Sequence, residues 1–366
     1  MRDGDRQTRT RLMQLFEQQR LKPRHDLGQN FLIDLNLHEL IVRHAGLTTA
    51  DVVLEIGTGT GGLTAHLADA AGWVVSVEFD EHVHRHAQAL LADRRNVRLL
   101  LGDALANKHT FSPAVLNAVR TALGRVAQQE RERYGATEAL SSDTQGTEAQ
   151  GLQPLGVEGD TPNPWRLQAL PTTLKLVANL PYNIATPVIS NLVASDLPWS
   201  RMVVTIQWEL AERMQARPGT GDYSALTVWL QSQAELKLIR KLPPSVFWPP
   251  PKVDSAVLRI DRWQEGQARI ADRAWFHDFL RDVFTQRRKR LLGVLAAMFR
   301  DATPMGCNPW ASHAALSREQ LEQVFVELKI PTDVRAEQLP VDKLVELSNH
   351  LHAHVTSYSS SPTPNT

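Results

Sequence analysis

The short apolar run Val52-Val53-Leu54-Glu55-Ile56 leads directly into Gly57-Thr58-Gly59-Thr60-Gly61-Gly62, and Leu63, Leu67 and Ala68 then recur at helical spacing. A buried strand, a tight glycine turn and a helix in that order belong to an open α/β sheet. Further runs extend the pattern. Trp73-Val74-Val75-Ser76-Val77 closes on Glu78, Val97-Arg98-Leu99-Leu100-Leu101 closes on Gly102-Asp103, and Leu174 to Ala178 and Arg201 to Gln207 follow. Strands alternating with helical stretches predict an α/β fold, a Rossmann-like parallel sheet covered on both faces.

The spacing breaks once. Asp103 and Asn179 lie 76 residues apart, far more than one helical crossover needs. Ser112-Pro113 reads as an N-cap followed by proline at the first helical position, and Val115, Val119, Leu123 and Val126 continue at helical spacing. Beyond Tyr134 the chain turns to Ser, Thr, Gly, Gln, Glu and Pro, with no Lys or Arg from Tyr134 to Trp165. Residues 135–164 are expected to be an acidic, disordered loop within an insertion spanning about 107–172. From about Asp272 onward the patterns are helical only. Trp275, Phe279, Val283 and Phe284 mark one helix, Leu321, Val324, Phe325 and Leu328 another, and Leu344, Leu347 and Leu351 a third. The expected organisation is an N-terminal extension (1–22), a sheet domain (23–265), a helical domain (266–355) and a disordered tail (356–366).

Composition excludes few classes. The 366 residues are 42% hydrophobic and 22% charged, as in a soluble globular protein. No apolar run reaches membrane-spanning length, and Met1 to Arg6 leads into no signal core. The one cysteine, Cys307, leaves no internal disulfide and suits a reducing, cytoplasmic setting. Lys plus Arg and Asp plus Glu both total 40, so net charge is silent about partners. Its distribution is more telling, because Arg281, Arg287, Arg288, Lys289 and Arg290 face only one nearby acid, Asp282. Such a run is a candidate phosphate-contacting surface or an ordinary solvated helix face.

Gly57, Gly59 and Gly62 fit the dinucleotide fingerprint, and Glu78, about twenty residues on, is placed to hold ribose hydroxyls. At this point NAD and S-adenosylmethionine are both admissible. Two features favour S-adenosylmethionine. Asp103, at the end of the third strand, can accept from an adenine amino group. The fourth strand ends in Asn179-Leu180-Pro181-Tyr182. Ligands of open α/β sheets sit over the carboxyl ends of the strands, so this tetrapeptide shares the cofactor's crevice. Its carbonyls suit an exocyclic amine and its ring suits the base carrying that amine.

On these residues the chain resembles the ribosomal RNA small-subunit adenine dimethyltransferases, from Arg24 to about Leu347 apart from the insertion. The blocks are His25-Asp26-Leu27-Gly28-Gln29-Asn30-Phe31-Leu32, Glu55 to Gly61, Gly102-Asp103-Ala104, Asn179 to Ile184, Phe247 to Val257, and Phe284-Thr285-Gln286-Arg287-Arg288-Lys289. The resemblance implies dimethylation of two adjacent adenosines near the 3′ end of 16S ribosomal RNA. The donor would be S-adenosylmethionine and the partner the small ribosomal subunit or its precursor, with a monomeric enzyme and no membrane. It implies that Gln29, Asn30 and Leu32 line the cofactor site from the N-terminal side, with Gly57 at the methionine end and Gly59 and Phe79 also bordering the cofactor. Glu78 would hold the ribose, and Asp103 with Ala104 the adenine. Asn179, which also borders the cofactor, would hold the target base with Leu180, Tyr182 and Phe247. Arg287, Arg288, Lys289 and Arg290 would contact RNA. The insertion and the N-terminal extension inherit no role. His82 with His86 and His350 with His354 have helical spacing but no further ligands, so no metal is expected.

Overall fold

The computed structural model describes residues 29–143, 172–299 and 316–359, with side chains described through 133 and 356 in the first and last of these. The apolar run at the glycine turn is strand β1 (Asp51–Ile56), buried along its whole length. It pairs in parallel with β2 (Trp73–Glu78), Leu54 lying opposite Val75. Strand β2 pairs in parallel with β3 (Val97–Leu101), Glu78 opposite Leu101. After a small hairpin of β4 (Leu105–Asn107) and β5 (Thr110–Phe111), the chain returns to the other side of β1. There β6 (Thr173–Asn179) places Val52 opposite Leu174 and Val53 opposite Lys175. The order β3-β2-β1-β6 therefore reverses direction at β1. A parallel sheet needs apolar residues on both faces, and Val52, Val53, Leu54, Val74, Val75, Leu174, Leu176 and Val177 are all fully buried.

Helices α1 (Leu35–Ala45), α2 (Gly62–Ala70), α3 (Glu81–Leu90) and α4 (Pro113–Asp143) surround these strands. Their starts follow local chemistry. The Asp34 carboxylate accepts from the Asn36 amide and caps α1. The Asp80 carboxylate accepts from His82 and Val83 to cap α3. Pro113 opens α4 as expected, with the Val115 amide donating to Ser112 Oγ at 3.4 Å. Helix α4 packs on β1 and β2 through Val115, Ala118, Val119, Ala122 and Val126. It corrects one expectation, because it runs past Gly135 to Asp143 instead of giving way to a loop. Ala136, Glu138, Ala139 and Leu140 are good helix formers, and extending an existing helix avoids a new nucleation cost. The rest of the loop expectation, residues 144–164, lies outside the described residues.

At the amino ends of β1 and β6 sits a buried polar network. Lys175 Nζ donates to Asp51 Oδ2 at 2.9 Å and to the Gly46 carbonyl at 2.7 Å. Asp51 also accepts from the Thr48 amide (2.7 Å), Thr48 Oγ1 (2.9 Å) and Thr173 Oγ1 (2.8 Å). Every strong partner of this buried ion pair is supplied, which is the condition for its being tolerated inside a protein.

The chain divides into two compact units, Phe31–Asn179 with Pro198–Ser200 forming the first, and Leu180–Leu197 with Arg201 onward in the second. The second unit begins with α5 (Ala185–Ala194). Its strands β7 (Trp199–Gln207), β8 (Ala234–Leu242) and β9 (Ser255–Arg262) are antiparallel, with β9 between the other two and Ser255 opposite both Gln207 and Leu242. The expectation of a parallel sheet did not include β8 and β9. Helices α6 (Trp208–Met214), α7 (Ala225–Gln231) and α8 (Gln264–Ala268) pack on β8, and α7 also packs against the C-terminal helices. Those are α9 (Arg273–Thr285), α10 (Leu291–Met298), α11 (Arg318–Glu327) and α12 (Val341–Ser359). Asp272 caps α9, whose buried stripe is Trp275, Phe276, Phe279, Leu280, Val283 and Phe284. Helix α12 continues three residues past the expected start of the tail at Thr356. Among the described residues, no helix is long and apolar enough to cross a membrane.

Candidate active site

The glycine turn is built where β1 ends. The amides of Gly57 and Thr58 both donate to the Val77 carbonyl, and Gly57, Gly59 and Gly61 have φ of 85°, 55° and 86°. L-residues with side chains rarely adopt such values. A Cβ on Gly59 would also come within 3.2 Å of the Phe31 ring. The turn is held from below by side chains. The Gly59 amide donates to Glu78 Oε2 at 2.9 Å and the Asp80 amide to Oε1 at 3.0 Å. Burial raises the Glu78 carboxyl above the usual range, and those amide bonds oppose the rise.

Over this turn lies a partly open cleft. Of the expected residues, Leu32, Gly57, Gly59 and Asn179 line it together. Asn179 arrives from the end of β6 and the glycines from the end of β1, so the cleft sits where the strand order reverses, the usual ligand position in this architecture. Phe79, 54% exposed, and Asp103, also exposed, stand at the neighbouring ends of β2 and β3 and do not line the cleft. Asp103 Oδ1 accepts from the Leu105 amide at 2.9 Å, and Ala104 is buried.

The cleft wall also holds residues that the sequence reading passed over. Glu55 is 1% exposed, and its Oε2 accepts from Thr64 Oγ1 and Ser76 Oγ, each at 2.6 Å. Its Oε1 has no hydrogen-bond partner among the described residues. Burial pushes this carboxyl up to about 8, the two hydroxyls oppose the rise, and the charge of Glu78 adds to it. A lone acid inside the apolar run of β1 was the available signal. His38, on the buried face of α1, lines the cleft as well.

These groups decide which ligand fits. Among the described residues no Lys or Arg lines the cleft, while Glu55 borders it. A dinucleotide pyrophosphate would meet that carboxyl with no described cation to offset its own charge. S-adenosylmethionine brings cations of its own, a sulfonium and an ammonium, and meets no such conflict. The glycine cradle, where a Cβ on Gly59 would crowd the Phe31 ring, suits close approach of a ligand to the backbone.

The remaining expected residues belong to the second unit, which includes Gln29 and Asn30. Tyr182 OH and Ser255 Oγ are 2.6 Å apart, and burial raises the phenol's pKa. The Leu180 amide donates to the Thr205 carbonyl at 3.1 Å, and Leu180 and Phe247 are buried. Ser255, which fixes the tyrosine, was signalled only as part of the Phe247-to-Val257 block. The basic run lies in the turn between α9 and α10, because α9 ends at Thr285, and so is not a solvated helix face. Arg287 is turned inward, donating to the Tyr223 carbonyl at 3.0 Å and pairing with Glu337 at 3.5 Å. Arg288, Lys289 and Arg290 are exposed. Among the described residues no three candidate ligands could hold a metal ion, and His350 instead meets Glu327 at 3.0 Å.

The profile of a family described as ribosomal RNA adenine dimethylase matches residues 20–330. The chain belongs to that family. Ribosomal RNA small subunit methyltransferase A of Moorella thermoacetica is 35% identical over 288 residues, covering 79% of this chain and 84% of the relative. The protein of that name from Geobacillus sp. is 30% identical over 341 residues, covering 93% and 96%. The fold recurs in the crystal structure of a dimethyladenosine transferase from Plasmodium falciparum, with a TM-score of 0.61, 19% identity, and 88% of this chain and 98% of that one covered. It recurs in 23S rRNA methyltransferase ErmE, with a TM-score of 0.53, 20% identity, and 88% and 100% covered. This dimethylase is therefore a methyltransferase with the expected Rossmann-like α/β sheet and C-terminal helices.

Proposed function

We propose that this dimethylase transfers methyl groups from S-adenosylmethionine to the N6 amines of two adjacent adenosines near the 3′ end of small-subunit ribosomal RNA, during ribosome biogenesis. The observation that carries the reading is Asn179. Its strand brings an amide side chain to the same cleft as the glycine turn, so a methyl donor and an amine acceptor can meet there.

S-adenosylmethionine supplies a methyl group activated on sulfur. The chain's own residues bind and orient. Gln29, Asn30 and Leu32 line the cofactor from the N-terminal side, Gly57 holds the methionyl end, Glu78 the ribose, and Asp103 with Ala104 the adenine, while Gly59 and Phe79 also border it. Adenine N6 is a poor nucleophile because its lone pair is delocalised into the ring. The Asn179 side-chain oxygen and the Leu180 carbonyl accept its two N–H bonds, which favours a pyramidal nitrogen with its lone pair directed at the methyl. The gain is alignment, not base catalysis. Tyr182, whose phenol stays protonated, offers a ring for stacking, as does Phe247. Stacking offsets the cost of drawing the adenosine out of its own stack. Arg288, Lys289 and Arg290, with the helical domain at 266–355, track the RNA backbone.

The test is to incubate the protein with labelled S-adenosylmethionine and unmethylated small subunits, large subunits or free RNA, and to map modified nucleotides by mass spectrometry. Dimethyladenosine at two adjacent small-subunit positions is expected. Label confined to the large subunit would overturn the substrate assignment. Asn179→Ala should lose transfer while calorimetry still detects cofactor, whereas Glu78→Ala should lose cofactor binding.

A further inference from the structure

One polar atom of the cleft wall is used by none of the roles above. His38 is 3% exposed. Its Nδ1 has no hydrogen-bond partner among the described residues. A neutral imidazole carries one N–H and one bare lone pair, so Nδ1 can serve as the acceptor. The ring stays neutral, because burial and the neighbouring His66 hold its pKa down to about 4. The two rings meet edge-on with centroids 5.5 Å apart, and His66 Nδ1 is 2.9 Å from the carbonyl of Gly62, another cleft residue. His38 is thus packed against His66 at the cleft wall with Nδ1 unused.

A buried acceptor without a donor is costly, and such groups call for an explanation. His38 Nδ1 belongs to a residue lining the cleft beside Glu55, whose Oε1 is also unpartnered. A bare imidazole nitrogen asks for an N–H donor, and it disfavours a carboxylate. We propose that His38 is a further cofactor-contacting residue, its Nδ1 accepting a hydrogen bond from the protonated α-amino group at the methionyl end of S-adenosylmethionine. The inference rests on the functional reading above, in which Gly57 faces that end.

Calorimetry on the full-length protein tests it with two probes. These are S-adenosylmethionine and 5′-methylthioadenosine, which keeps the nucleoside and sulfur but lacks the amino-acid arm. His38→Leu should weaken S-adenosylmethionine about tenfold, the usual scale for one bond to a charged group. Methylthioadenosine should be unaffected. His38→Asn, which restores an acceptor near the Nδ1 position, should recover most of the loss. In wild type carrying ¹⁵N-histidine, S-adenosylmethionine but not methylthioadenosine should shift the Nδ1 resonance, a readout that stands even if a variant fails to fold. Equal weakening of both ligands, no weakening, or an unmoved Nδ1 resonance would overturn the contact and leave a bound water as its partner. Failure of wild type to bind S-adenosylmethionine at all would overturn the functional reading itself.

Discussion

Glu55 makes the stability of the cofactor-free protein depend on pH in a specific way, and Glu55→Gln isolates the effect. The carboxyl titrates at about 8 in the folded protein against an ordinary 4.5. Below 4.5 it is protonated in both states and contributes no pH dependence. Between 4.5 and 8 the unfolded chain ionises there and the folded protein does not, so folding loses about 1.4 kcal/mol per pH unit. The loss reaches about 3 kcal/mol at pH 7 and levels off above 8. Gln ionises in neither state. Its amide oxygen can still accept from Thr64 and Ser76, and any cost of its new N–H groups is the same at every pH. Urea unfolding of both proteins without cofactor should therefore show the variant gaining on wild type by about 3 kcal/mol between pH 5.5 and 7.5. The slope, not the absolute gap, is the test. A gap that stays constant over that range would refute the reasoning, since Glu55 would then ionise alike in both states.

Other expectations follow from individual contacts. Lys175→Met leaves the buried Asp51 carboxylate without its cation and should cost about 3–5 kcal/mol in the same unfolding assay, with Asp51→Asn recovering part of it. Arg287→Ala should lower the melting temperature, because it removes bonds to Tyr223 and Glu337. Converting Arg288, Lys289 and Arg290 to Glu should instead leave melting unchanged and weaken RNA binding, the logarithmic salt dependence falling by about 0.7–0.9 per lost contact. Gly59→Ala must carry a side chain at φ +55° against the Phe31 ring and should cost about 1–2 kcal/mol, with weaker cofactor binding by calorimetry.

What could be read from the sequence was what burial writes plainly. Strands β1, β2 and β6 are buried on both faces, so they appear as apolar runs interrupted only by Glu55, Ser76 and Lys175. Strand β8 is different, with Glu235, Lys237, Arg240 and Lys241 exposed and a register shift opposite Val257 and Leu258. An edge strand armed with charge in this way resists wrong pairing and also hides its periodicity. The glycine turn, Glu78 and Asn179 were legible because each sits at a strand end with a fixed spacing. Glu55 and His38 were not, since each stands alone in an apolar element and only packing shows what surrounds it. Nor could four consecutive basic residues reveal which one turns inward. That choice belongs to the Tyr223 carbonyl and Glu337, more than forty residues away on either side.

The polar network at the amino ends of β1 and β6 bears on the chemistry at their far ends. Asp51 begins the strand that leads to Gly57 and lies opposite Thr173, which begins the strand that ends at Asn179. Each strand then runs about 20 Å to the cleft. A slip of one residue between them would turn Asn179 to the opposite face of the sheet. By binding Thr173 and Lys175 together, one carboxylate keeps the two strands in step, so donor and acceptor are aligned from the end of the molecule that neither touches. Inactivity in an Asp51 variant would accordingly report lost alignment, not a missing reactive group.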